Sequence, residues 1–299
     1  MKIQSLSIVV PTKKCINNCP FCVSKTHECN YENMISNPLF KEDYIERLEY
    51  ARDLGTNIVI LTGTGEALQN KKFLNDFAYF NKLLKKPFYN IELQTTGVLL
   101  DNNTLNWLRN IIRVKTISLS VSNLFNNENN LEIINVHDKL KFDLVELSKK
   151  IKSYGFNLRI SLNVLDNIDS ELNIGNSEHN IYDFKKLFKI LNDMDVDQVT
   201  FRKMWTSNNN TIIDNWIKSY TKKTDYFLNE LLLYLKKNAH FLSKLPFGAS
   251  QYSLNEISVV IDNDCMNDKT PYKEELKYLI LRENAKLYSK WNDKGSLIF

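Results

Sequence analysis

Three cysteines fall within one eight-residue stretch, Cys15-Ile16-Asn17-Asn18-Cys19-Pro20-Phe21-Cys22, spaced C-x3-C-x2-C. Thiolates are soft ligands that suit iron–sulfur clusters and zinc. Three of them on one short loop can hold three irons of a four-iron cluster, leaving the fourth iron free to bind another group. A closed zinc site asks for four protein ligands, and Cys29 or His27 stands near enough in sequence to supply the fourth. The chain has five cysteines in all, so an x3/x2 triple is hard to reach by chance.

Two further segments bring glycines and polar groups to the ends of apolar runs. Thr62-Gly63-Thr64-Gly65-Glu66 follows Ile58–Leu61, and Gln94-Thr95-Thr96-Gly97 closes the run that starts at Tyr89. Glycine permits close backbone approach, and a carboxylate such as Glu66 complements an ammonium through a charge-assisted hydrogen bond.

Taken in order, these segments resemble the radical SAM superfamily. Its cluster motif is the same C-x3-C-x2-C, on the loop after the first barrel strand. Gly65-Glu66 match its Gly-Gly-Glu-Pro segment, with Gly63 one residue further back and Ala67 in place of the proline. Thr96 stands where its third segment has asparagine. The resemblance covers residues 1–205. It implies that Cys15, Cys19 and Cys22 hold a [4Fe–4S] cluster. It places Thr62, Gly63, Thr64, Gly65 and Glu66, with Gln94 and Thr96, around the methionine end of S-adenosylmethionine (SAM). Phe21 falls at the position that packs near the adenine. Ser120 and Ser122 on strand four, and Arg159, Ser161 and Asn163 on strand five, fall where the family meets the ribose and carboxylate.

The implied reaction is reductive cleavage of SAM to a 5′-deoxyadenosyl radical, which abstracts a hydrogen atom from a substrate. It needs an external electron donor such as a flavodoxin or ferredoxin. Cys265 then reads as a buried thiol or as one that returns a hydrogen atom to a product radical. Cys29 and Cys265 are too few for a second full cluster. A non-catalytic protein stapled by zinc or a cluster is the competing reading. Among enzymes, the alternatives are an activase of a glycyl-radical protein and a tRNA-modifying enzyme.

The elements that must position these groups show in the hydrophobic pattern. Strands are expected at Leu6–Val10, Asn57–Leu61, Tyr89–Gln94, Thr116–Val121, Asn157–Leu162 and Gln198–Met204. Helices are expected at Glu42–Leu54 (stopped by Gly55), Phe73–Leu84, Asn103–Ile112, Lys139–Tyr154 (stopped by Gly155) and Ile181–Leu191. Strand–helix alternation of this kind implies a parallel sheet covered by helices. Six units fall short of the eight of a closed barrel. The expected fold is therefore α/β, a partial (β/α)6 TIM-like barrel over 1–205. An α+β extension over 206–299 would cap it. That extension would hold a long helix at Asp225–Leu245, a strand at Glu256–Ile261 and a hairpin of Leu276–Arg282 with Lys286–Trp291.

Composition sets the outer bounds. The 299 residues are 43% hydrophobic and 25% charged, ordinary globular usage, which excludes collagen-like, disordered and disulfide-scaffold readings. The net charge of +4 does not indicate nucleic acid. No apolar run reaches the roughly 18 residues of a membrane span, and the first apolar stretch is short for a signal peptide. The expected location is the cytoplasm, where thiols stay reduced. Arg159, Arg202 and Lys203 lean the substrate toward a small anionic molecule, such as a nucleotide or deazapurine.

Overall fold

The computed structural model describes residues 2–26, 38–175, 181–207, 209, 211–245, 248–263, 275–291 and 294–299. Five strand–helix units come first: β1 (Lys2–Val10) and α1 (Pro38–Asp53), β2 (Ile58–Gly63) and α2 (Lys71–Leu83), β3 (Asn90–Thr95) and α3 (Asn102–Trp107), β4 (Thr116–Val121) followed by α4 (Asn127–Ile133) and α5 (Leu144–Ser153), and β5 (Asn157–Asn163) followed by α6 (Asp166–Leu172) and α7 (Phe184–Asp193). Then come β6 (Gln198–Arg202), α8 (Ile212–Tyr220), α9 (Thr224–Asn238), β7 (His240–Lys244), β8 (Ser250–Leu254), β9 (Ile257–Asp262), β10 (Glu275–Leu281) and β11 (Leu287–Tyr288). One sheet joins all strands in the order β11-β10-β1-β2-β3-β4-β5-β6-β9-β8-β7.

The six strands of the first 202 residues pair in parallel in sequence order. The helices between them cover the outer face, and the core lies in that layer, with Tyr44, Phe77, Phe88, Phe156 and Phe188 fully buried. Local chemistry sets the element ends. Asn70 caps α2 by accepting from the Phe73 N–H at 3.0 Å. Asp143 caps α5 through Glu146 N–H at 2.8 Å. Gly55 and Gly155 stop their helices with φ of +89° and +77°, a region other residues enter at a cost.

The last third departs from the sequence pattern. The expected helix Asp225–Leu245 ends at Asn238. Its apolar face, Phe227, Leu228, Leu231 and Leu235, is buried. That face stops where Asn238 replaces the next apolar position, and His240–Lys244 instead pair antiparallel with β8. The expected helix Lys139–Tyr154 starts only at Leu144, after a short 3-10 turn over Asp138–Leu140, because Asp143 supplies the cap. The expected helix Ile181–Leu191 likewise starts behind Asp183, whose side chain accepts from the Lys186 N–H. Four elements carry no expectation: α4, α6, α8 and β8.

The extension adds a parallel strand to each edge of the core sheet. β9 joins β6 and β10 joins β1, both in parallel, so eight parallel strands curl around a lumen. β9 and β10 face each other across a seam. Lys277 Nζ and Asp262 Oδ1 span it at 3.2 Å, each side chain only 11% exposed.

Candidate functional site

The period-two alternation of strands turns whole rows of polar residues into the lumen. Ser118, Arg159, Gln198 and Ser258 sit side by side in register, as do Ser120, Ser161 and Thr200, and then Asn163, Arg202 and Asp262. These rows and the facing residues of β1, β2 and β10 enclose a cavity of about 450 Å³, reaching from Gln4, Ser5 and Gln198 up to Thr62, Gly63, Thr64 and Gln94.

The cysteine loop leaves β1 at the upper end of this cavity. Side chains from the segment between β2 and α2 pin it. Asn70 donates to the Pro11 carbonyl at 2.8 Å, Thr12 N–H donates to Thr64 Oγ1 at 3.0 Å, and Ile16 N–H donates to Gln69 Oε1 at 2.8 Å. The Ile134 carbonyl, at the C-terminal end of α4, accepts from Asn18 N–H at 3.2 Å, and the Cys19 thiol approaches it at 3.9 Å. Cys15, Cys19 and Cys22 are all half-buried. Gly65 explains how closely the loops pack. A Cβ there would stand 3.0 and 3.1 Å from Cβ and Cα of Cys15, and closer still to Thr12 Oγ1.

Burial pushes the Cys15 thiol up, while N–H groups of Asn17 and Glu66 aimed at its sulfur partly offset this. Burial, reinforced by the neighbouring Cys22 and Cys15, pushes the Cys19 thiol up to about 12. Crowded, half-buried thiols of this kind ionise when a metal cation supplies the compensating charge, and protons leave as it binds. Among the described residues no three His, Cys, Asp or Glu side chains gather around a single-ion centre. Three soft thiols on one short, half-buried loop are a donor set that fits an iron–sulfur cluster.

Glu66 occupies a different place from the one its chemistry suggests. It is 4% exposed, and both its oxygens are engaged. Oε1 accepts from Thr95 Oγ1 at 2.7 Å and Leu68 N–H at 3.4 Å, while Oε2 accepts from Thr96 N–H and Oγ1, both at 2.9 Å. Asn17, inside the cysteine motif, donates onward to Thr96 Oγ1 at 2.8 Å. Glu66 thus ties the ends of β2 and β3 to the cysteine loop. Burial raises its carboxyl, against the lowering effect of those donors.

The remaining expected residues separate into groups. Thr64 is spent on Thr12. Thr62, Gly63 and Gln94 line the cavity. Ser122 and Asn163 meet at the ends of β4 and β5, Asn163 donating at 3.2 Å. Ser120 is half-buried in the inward row, and Ser161 is buried, its hydroxyl without a partner among the described residues. Arg159 takes one of the two roles open to an arginine on an inward strand, pairing with an internal acid. It is the third of seven residues in β5, well below the strand end, where its guanidinium pairs with Glu92 and donates to Gln198 Oε1 at 2.6 and 2.9 Å. Phe21 packs against Trp216 of α8, ring centroids 5.5 Å apart, a contact no local pattern signals. Asn17 was missed although it lies within the motif, because an amide between two ligands looks like loop filler. Cys29, His27 and Cys265 lie outside the described residues.

The sequence and the structure both have known likenesses. Residues 9–172 match the Radical SAM superfamily. Among solved structures, SuiB from Streptococcus suis bound to its precursor peptide SuiA aligns with a TM-score of 0.56 at 16% identity, over 96% of this chain and 59% of SuiB. Native anSMEcpe with bound AdoMet aligns at 0.59 and 16%, over 96% and 74%. Coproporphyrinogen III oxidase (HemN) from Escherichia coli, itself a radical SAM enzyme, aligns at 0.50 and 14%, over 80% and 54%. These likenesses are of fold, and the chain spans about three fifths of the length of SuiB. None of the curated proteins matches the sequence.

Proposed function

Because the chain belongs to the radical SAM superfamily, an enzyme family whose cofactors are a [4Fe–4S] cluster and SAM, we propose that Cys15, Cys19 and Cys22 hold the cluster and that the lumen beneath them takes the substrate. The observation that carries this reading is that the half-buried cysteine loop leaves β1 at the upper end of a 450 Å³ cavity, locked there by Gly65 and Gln69. Bound together, the cluster and SAM supply a 5′-deoxyadenosyl radical that takes a hydrogen atom from the substrate.

The chain's own contributions are positional. Thr62, Gly63 and Gln94 offer backbone and side-chain polar groups to SAM at the upper wall. Ser120, Ser122, Ser161 and Asn163 do so from β4 and β5, and Phe21 with Trp216 presents an aromatic wall beside Cys22. Thr64, Glu66 and Thr96 hold the loops that shape this pocket. Arg159, neutralised by Glu92, supports the lumen floor rather than SAM. The seam ion pair keeps the lumen walled, which protects a radical from stray partners. A cavity of this volume lies in the range of small-ligand sites and suits a small molecule, of which a small anionic nucleotide or deazapurine is an example. The electron comes from outside, from a donor such as a flavodoxin or ferredoxin. Thiolate ligands support a reducing, cytoplasmic setting. Among the described residues no helix is long and apolar enough to cross a membrane.

The test is anaerobic. The protein is reconstituted with iron and sulfide, reduced with dithionite and given SAM, and 5′-deoxyadenosine is measured by mass spectrometry. It should form with wild type, and both it and the bound iron should vanish in Cys19→Ser while Cys29→Ala retains them. Zinc in place of a cluster, or full iron in Cys19→Ser, would overturn the reading.

A further inference from the structure

Among the described residues the cavity is lined by four cationic side chains and by two acids, Asp262 and Glu283, and two of the cations are already neutralised. Arg159 is matched by Glu92, and Lys277 by Asp262. Lys203, next to Arg202 in sequence, meets Asp225 Oδ1 at 2.5 Å and does not line the cavity. Arg202 lines it and differs from all of these. Among the described residues its guanidinium meets no acidic or hydrogen-bonding partner, and its Nε is buried without an acceptor. Arg282, just past β10, lines the same cavity. One of its Nη groups donates to the Trp291 carbonyl and its guanidinium lies 4.7 Å from the Tyr288 ring centroid, yet its Nε is also buried without an acceptor.

A guanidinium cannot shed its proton to escape burial. A buried donor left unmade carries the full desolvation cost. An oxyanion in the cavity compensates the guanidinium charge, its oxygens matching the planar fork of terminal N–H groups. Resting on the radical SAM reading, we propose that the lumen holds an anion subsite built on Arg202 and completed by Arg282, and that it takes a carboxylate or phosphate of the substrate. Its position suits that role. Arg202 ends β6, and the sheet order puts β6 four strands from β2, whose end carries Thr62 and Gly63. An anion anchored there holds one end of a substrate across the lumen from the segment that faces SAM. Arg202 comes from the core and Arg282 from the extension, so substrate choice depends on both halves of the chain.

The test uses reconstituted holoprotein and two probes, inorganic phosphate and acetate, titrated by calorimetry. One or both should bind wild type, the stronger probe marking the anion class. Arg202→Gln should weaken that binding by about tenfold or more, the loss of a charge-assisted pair, and Arg202→Lys should recover part of it. Arg282→Gln should weaken it less, and Lys203→Gln should not change it. Binding of neither probe, or equal binding by Arg202→Gln, overturns the subsite. So does a loss of SAM affinity in Arg202→Gln with anion binding intact, since Arg202 would then serve the cofactor. Formation of 5′-deoxyadenosine by wild type is read separately. Its absence would sink the radical reading, whereas its presence without anion binding would sink only the subsite.

Discussion

Replacing Glu66 by glutamine separates a brace from a cofactor contact. The carboxylate receives two backbone N–H groups and two hydroxyls. An amide presents only one acceptor oxygen. With its oxygen at the Oε2 position, it keeps both Thr96 donors but turns N–H toward Leu68 N–H. In the other orientation it faces Thr96 N–H instead. Either way one buried backbone donor loses its acceptor, and the bonds that survive are no longer charge-assisted. An orphaned buried donor costs about 1–3 kcal/mol, and relief of the carboxylate's desolvation offsets part of it. The net loss should be about 1 kcal/mol, or roughly 2 °C in Tm for a chain of this size. The assay is thermal unfolding of the metal-free protein followed by circular dichroism, where no SAM can bind. Glu66→Ala, which abandons all four donors, should melt lower still. If metal-free Glu66→Gln melted with wild type and only SAM affinity fell, the bracing argument would be wrong and Glu66 would be a cofactor ligand.

Two other outcomes follow from the same geometry. Gly65→Ala places a methyl against Cα and Cβ of Cys15, an overpacking worth about 1–3 kcal/mol. It should cut iron loading sharply while leaving the far-ultraviolet spectrum unchanged, and full iron content in the variant would refute the close-approach account. Asp214 closes the capping box of α8 opposite the cap residue Thr211, and its carboxyl is held down to about 2, first by the Ser207 hydroxyl, with N–H groups of Thr211 and Ser207 and the Thr211 hydroxyl adding to it. A depressed carboxylate stabilises the fold above its unfolded value of about 3.9 and loses that contribution as pH falls toward the folded value. The stability gap between wild type and Asp214→Asn should therefore be constant near neutrality and close between about pH 4 and pH 2. Chemical denaturation across that range would expose a gap that does not close.

Much of this protein was legible before any coordinates. The cysteine spacing points to a thiolate metal site, since ligand type and local spacing are properties of a continuous segment. The six parallel strands were legible because apolar runs, glycine stops and capping residues act within a few positions. The polar rows of β4, β5 and β6 could be suspected from their alternation. What the sequence left open is where each polar group spends its hydrogen bonds. Glu66 looks like an ion partner in a loop and becomes a buried brace only when Thr95 and Thr96 arrive from the next strand. Arg159 and Arg202 are two arginines on neighbouring strands and nothing local distinguishes them. Glu92, 67 residues before Arg159, neutralises one, and among the described residues no acid reaches the other. The strand His240–Lys244 could not be told from a helix tail, because its pairing with Ser250–Leu254 decides it. The lumen wall is completed by Asp262 and Lys277, which meet only because the sheet curls its edges together. Such contacts are chosen by chain closure and packing, and no single segment carries the information that sets them.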